Sequence, residues 1–319
     1  MSDSSLTYQD RIEGGLLGLL IGDALGVPYE FHAASQIPPR AQIDYAPPAG
    51  FHRAHNVPPG TWSDDGAMAL CLLASLLDGG RLDPDDLGRR FVDWYERGYL
   101  AVDGDVFDIG IQTREALRAI KAGVPALLAG PTAENKLGNG SLMRAAPLTL
   151  WSDGDDEALV ADAMTQSRLT HGHPRAQVCC ALYCLWARRV AREHPQPWED
   201  AVATLRALWP TASIERVELE SGIRPDDPAP GDGGGYVVTT LRSARWAVES
   251  TSDFASAVRA AISLGNDTDT TACVTGGVAG LRYGARGIPA AWRAGLRGQD
   301  LLAPLLDRLR ARVQGQGQG

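Results

Sequence analysis

Within residues 8–22, Gly14, Gly18 and Gly22 recur at every fourth position, beside a stripe of Ile12, Leu16, Leu19 and Leu20. On a helix, residues four apart share an edge. Each internal glycine costs a helix about 1 kcal/mol relative to alanine. Three in register therefore need a packing reason, and the one expected is a second helix whose backbone approaches closely along that edge.

The rest of the chain agrees with a helical fold. Apolar residues keep helical spacing nearly throughout, and alternating runs are short. Residues 66–78 form an apolar stretch that stops at Gly79–Gly80. Asp83 before Pro84 reads as an N-cap with proline at the first helical position, and Gly98 closes that helix. Further helices are predicted over 109–122, 156–169, 174–193, 197–208, 238–249, 254–264, 268–283 and 299–313. Proline and glycine mark long loops at 32–60 and 222–235, and loops of that length in a helical protein suggest binding work. The expectation is all-α: one domain over 1–319, a compact bundle of more than ten helices, with a short flexible N-terminus and a disordered tail over 313–319.

Thirty basic residues against 39 acidic ones give a net charge of −9. That argues against a nucleic-acid surface, which needs a basic face. No uninterrupted apolar stretch of about 18 residues marks a membrane span. The start, MSDSSLTYQD, lacks the basic region and cleavage site of a signal peptide. A soluble cytoplasmic protein is expected, a monomer by default. Five cysteines, Cys71, Cys179, Cys180, Cys184 and Cys273, sit inside apolar helical runs. A zinc site from Cys179, Cys180 and Cys184 would lack a C-x-x-C pair, so buried thiols are the reading.

Two segments carry more oxygen than local structure requires. Thr61-Trp62-Ser63-Asp64-Asp65-Gly66 precedes one apolar helix, and Gly265-Asn266-Asp267-Thr268-Asp269-Thr270-Thr271 precedes a helix rich in small residues. Capping a helix takes one such side chain. If the segments meet, four carboxylates within a few ångströms would repel unless protonated or neutralised. Two divalent cations would cancel them, and all-oxygen donors favour magnesium first, then manganese or calcium, over zinc. Distance along the chain gives no evidence that they meet.

Several motifs resemble those of the ADP-ribosylglycohydrolases. They are Gly22-Asp23-Ala24-Leu25-Gly26 with Tyr29-Glu30-Phe31; Trp62-Ser63-Asp64-Asp65; and Asp108-Ile109-Gly110. Asn139-Gly140-Ser141-Leu142-Met143-Arg144, Thr170-His171 and Leu264-Gly265-Asn266-Asp267-Thr268-Asp269-Thr270 complete the set, in family order. The resemblance implies a compact all-α fold and a dinuclear magnesium centre, with manganese as the alternative. Ser63, Asp64, Asp65, Asp267, Asp269 and Thr270 would be the ligands. Many members have threonine where Ser63 stands, and serine keeps the hydroxyl. Many also have threonine at the place of Gly66, where glycine would remove a hydroxyl and leave room.

The resemblance also implies roles around the metals. Glu30 and Asp108 would be the catalytic carboxyls, since breaking a ribosyl bond passes through oxocarbenium-like charge and needs proton handling. Read locally, Glu30 is an exposed loop carboxylate and Asp108 an N-cap. Asn139 would shape a glycine-rich turn, while Gly140, Ser141 and Met143 line an ADP-ribose pocket; backbone N–H groups there could approach a diphosphate, aided by a following helix start. His171 would touch the ligand, and Asn266 would orient the metal ligands or touch the distal ribose. Tyr236, after Gly233-Gly234-Gly235, could stack on adenine or ribose, or belong to the core. Asp23 reads as a buried carboxylate bonded to backbone N–H groups, and Arg144 as the partner of an internal carboxylate.

The function implied is magnesium-dependent hydrolysis of an ADP-ribosylated protein or small conjugate, releasing ADP-ribose, with arginine as the attachment. Other linkages, serine among them, would be decided by loops. The rival is a non-catalytic ADP-ribose or nucleotide-binding regulator, which should lack part of the ligand set.

Overall fold

A computed structural model describes residues 6–229 and 231–316. The expected flexible start at residues 1–5 and the end of the expected tail, 317–319, lie outside the described residues. Fourteen α-helices and no strands occur among the described residues. They are α1 (Tyr8–Gly26), α2 (Asp64–Gly79), α3 (Pro84–Arg97), α4 (Ile111–Lys121), α5 (Ala146–Trp151), α6 (Asp156–Arg168) and α7 (Pro174–Ala191). Then come α8 (Pro197–Leu208), α9 (Ile214–Val217), α10 (Val237–Glu249), α11 (Phe254–Ile262), α12 (Thr268–Gly287), α13 (Ala290–Gly295) and α14 (Gln299–Gln316). The fold is all-α, as the periodicity required.

Local signals account for most boundaries. Thr7 caps α1 by accepting from the Asp10 N–H, and Asp83 caps α3 by accepting from Asp85 and Asp86. Gly80 and Gly98 end α2 and α3 in the left-handed conformation. Where the signals are short, the reading misses: α5, α9 and α13 span too few residues to show a period. A π-helical turn, Glu218–Ile223, follows α9. The last helix continues to Gln316, past the 313 at which it was expected to stop.

The glycine edge of α1 finds its partner in α12, which runs antiparallel to it. A β-carbon at Gly14 would lie 2.3 Å from the Gly280 carbonyl oxygen, one at Gly18 2.2 Å from that of Gly276, and one at Gly22 2.1 Å from that of Ala272. The relation is reciprocal: β-carbons at Gly276 and Gly280 would lie 2.0 and 1.9 Å from the Gly18 and Gly14 oxygens. At the end of the row, Gly26 faces the Asp269 backbone, 2.3 Å from its Cα by the same measure. The Thr268 hydroxyl donates to the Gly26 carbonyl at 2.8 Å, closing the pair. By length and composition α1 could cross a membrane, yet 94% of its most apolar window is buried inside the fold.

From the same helix Asp23 reaches sideways to α2. Its carboxylate accepts the Ser63 N–H at 3.0 Å and the Gly66 N–H at 2.8 Å. It is the buried, backbone-bonded carboxylate expected. All five cysteines are free and buried. Arg144 is buried too, but its partners are not carboxylates: it donates to the Gln166 side chain and carbonyl and to the Gly140 carbonyl, with its guanidinium over Phe91. Carbonyl dipoles in a dry core suffice to hold it, and burial lowers its pKa to about 10.

Gly18→Val should be severely destabilising, by about 3 kcal/mol or more, because the blocking atoms are backbone. Gly79→Ala, with nothing within 4 Å of its added carbon, should change stability little. Urea midpoints of the two variants check this; equal midpoints would refute the close helix contact.

Candidate active site

The two acidic helix starts converge. Asp64 and Asp65 open α2, Asp267 and Asp269 stand at the start of α12, and the Thr270 hydroxyl donates to Asp65 Oδ1 at 3.4 Å. Glu30 follows the end of α1, and its carboxylate groups with those of Asp267 and Asp269 so that one oxygen of each lies within 4.8 Å of the others. Asp108, ahead of α4, joins them.

Capping does not explain these side chains. Ser63 caps α2, accepting the Asp65 N–H at 3.3 Å, whereas Asp267 makes no capping bond at all. Helix α4 begins at Ile111 with Gly110 as its cap residue, so Asp108 is not the N-cap its position suggested. Glu30 is 4% exposed, not a loop carboxylate in solvent.

The acidic group forms part of the wall of a cavity of about 660 Å³. Glu30, Asp64, Asp65, Asp108, Asp267 and Thr270 line it together with Asn139, Gly140, Met143 and His171. Asn139 joins the two parts, donating to Asp267 Oδ2 at 2.7 Å and to the Thr240 hydroxyl at 2.9 Å. Gly140 lies so close to His171 that a β-carbon there would be 2.9 Å from the imidazole. His171 in turn meets the Thr170 hydroxyl through Nδ1 at 2.8 Å. Burial lowers the His171 pKa to about 3, which keeps the ring neutral.

Collecting carboxylates in a buried place makes them poor acids. Burial first, and then the neighbouring charges of Asp108 and Asp267, raises Glu30 to about 10. Burial raises Asp108 to about 6 and Asp23 to about 7, and it holds Asp64, Asp65 and Asp269 well above the usual range. Two oxygens, Asp65 Oδ2 and Asp269 Oδ2, are buried without a hydrogen-bond partner. Buried polar atoms are rarely left so.

The profile of the ADP-ribosylglycohydrolase family matches residues 4–319. The chain belongs to the ADP-ribosylglycohydrolase family. It is thus an enzyme, a hydrolase of ADP-ribosylated substrates. It is similar to "ADP-ribosylarginine hydrolase Tri1" of Serratia proteamaculans, at 32% identity over 94% of this chain and 79% of that one. It is also similar to "ADP-ribosyl-[dinitrogen reductase] glycohydrolase" of Rhodospirillum rubrum, at 27% identity over 90% of each. A solved "ADP-ribosylglycohydrolase-related protein complex" superposes with a TM-score of 0.76 at 34% identity, covering 96% of this chain and 98% of that one.

In this glycohydrolase some residues expected at the pocket stand apart from it. The Ser141 hydroxyl is turned into the core, accepting from Ser167 Oγ at 2.8 Å, with Cys180 beside it. Tyr236 is exposed, and its hydroxyl accepts from Arg175 at 3.2 Å, outside the cavity wall. Asn266, in the left-handed region at φ 60°, acts through its backbone: its N–H donates to the His32 carbonyl, and its carbonyl accepts from Phe31. The glycine-rich turn does not run straight into a helix; α5 starts only at Ala146 and is wholly buried. Gly66 leaves no room either, since a β-carbon there would lie 2.8 Å from both Leu20 and Trp62. The space a larger residue would use is filled by core side chains.

Sequence reasoning missed His55. Its Nε2 lies 2.5 Å from Glu30 Oε2 and 3.7 Å from Asp108 Oδ1. Nothing local in a proline-rich loop singles out this histidine. Gln112, Thr113 and Lys136, which line the cavity as His55 does not, carry no local signal either.

The raised carboxyls set a pH dependence for the metal-free protein. A folded pKa above the unfolded one gives stability that is lost as pH rises towards the folded value. His171 acts oppositely, but only below its ordinary 6.5. From pH about 7 to about 8.5, in chelator, the melting temperature should therefore fall, and Asp65→Asn should flatten the slope. A rising melting temperature over that range would contradict the buried acidic cluster.

Proposed function

We propose that this hydrolase is divalent-metal-dependent and cleaves ADP-ribose from arginine side chains of proteins. The observation that carries the metal reading is the pair of partnerless buried oxygens on Asp65 and Asp269, on two helices that meet at one cavity. The donor set fits hard cations: Ser63, Asp64, Asp65, Asp267, Asp269 and Thr270 offer only oxygen. Two Mg²⁺ ions, or Mn²⁺, held by these residues would supply charge compensation and a grip on sugar hydroxyls.

The chain's own residues then have distinct work. Asn139, fixed between Asp267 and Thr240, holds that aspartate in place. Neutral His171 and the Gly138–Gly140 backbone make a close, uncharged wall suited to the ADP part of the ligand. Glu30 and Asp108 face the same cavity beside the six oxygen donors, placed to exchange protons. Hydrolysis breaks the bond from the ribose anomeric carbon to the guanidine nitrogen. Water gives its oxygen to that carbon, one carboxylate takes a proton from the water, and the departing nitrogen gains one.

Arginine is supported by the similarity to proteins named ADP-ribosylarginine hydrolase, at 32% identity. The test is release of ADP-ribose from arginine- and serine-linked ADP-ribosyl peptides, with Mg²⁺ and then with chelator. Release from the arginine peptide should require Mg²⁺. Asp267→Asn should lower it by more than about a hundredfold, beyond the usual loss of a supporting group. Chelator-insensitive release would refute the metal role, and release from the serine peptide alone would refute the arginine reading.

A further inference from the structure

We propose that His55 is a positioning residue that holds Glu30 and Asp108 in one fixed arrangement at the cavity. The kinetic part of this proposal rests on the hydrolase reading above.

The two carboxyls come from segments far apart in the chain, and neither is held by regular structure. Glu30 ends a short 3₁₀ turn, Val27–Tyr29, and the next residue, Phe31, is left-handed at φ 61°. Asp108 is itself left-handed at φ 59°, two residues before the cap of α4. Side chains on such backbone need outside support to keep one direction.

His55 provides a link between them. It hydrogen-bonds Glu30 at 2.5 Å and stands 3.7 Å from Asp108. Its ring packs near Phe31 and Phe107, with centroids 5.8 and 5.1 Å away, each next in sequence to one of the two carboxyl residues. The imidazole thus touches both chain segments at once, meeting Phe107 on one and the largely exposed Phe31 on the other. The histidine's own loop is tied down: Tyr45 donates to the Trp292 carbonyl at 2.9 Å, and Arg53 closes a turn onto the Val57 carbonyl at 3.1 Å. The cavity lining includes Glu30, Phe31 and Asp108 but not His55. It therefore acts through the carboxyls rather than on substrate.

Misplacing a reacting group by about 1 Å can cost on the order of a hundredfold in rate. His55→Ala should lower kcat by about that order, with KM, ADP-ribose affinity and melting temperature close to wild type. His55→Gln, whose amide nitrogen can reach the same oxygen, should recover much of kcat. A crystal structure of the alanine variant reads the arrangement without turnover and should show Glu30 or Asp108 in new rotamers. Wild-type kcat in His55→Ala, an equal loss in both variants, or unmoved carboxyls would each overturn the proposal. If wild type releases no ADP-ribose but the carboxyls move in the variant, the hydrolase reading fails and the positioning role stands.

Discussion

Everything at the acidic centre depends on the contact between α1 and α12. Two helices can touch backbone to backbone only where neither carries a β-carbon, and here Gly14, Gly18 and Gly22 meet Gly280, Gly276 and Ala272. The row ends with Gly26 against Asp269, so the helix contact itself delivers one acidic pair to the end of α1, a few residues before Glu30. Asp23 delivers the other pair by binding the N–H groups at the start of α2. A single helix therefore sets both halves of the centre, one by close packing and one by a buried carboxylate.

That arrangement works against the isolated protein. Burying several carboxyls side by side raises their pKa values and leaves oxygens without partners. A fold selected for stability alone would have placed apolar residues there. The backbone around the cavity is strained as well, with Phe31, Asp108 and Asn266 all in the left-handed region. Strain and like charge gathered in one place mark a site kept for chemistry.

Much of the fold was legible in the sequence because its signals are local. Asp83–Pro84 starts a helix and Gly80 and Gly98 end helices where expected, and the glycine edge of α1 required a close partner. The short helices α5 and α13 gave no period to read. At the site, Asp64–Asp65 and Asp267–Asp269 stood out by an excess of oxygen, but only the family resemblance could bring them together. Ser141, Tyr236 and Asn266 show the other limit, since a motif does not say which way a side chain turns. Ser141 faces Ser167 and Cys180, and Tyr236 faces Arg175. His55 was invisible because its meaning comes from Glu30 and Asp108, which neither pattern nor spacing connects to it.

As proposed, the two acidic helix starts are shaped to hold hard cations. Anomalous diffraction from crystals grown with Mn²⁺ tests it most directly. Two peaks among Asp64, Asp65, Asp267 and Asp269, lost in Asp65→Asn, are predicted. Crystals with no anomalous density between those aspartates at saturating Mn²⁺ would contradict it.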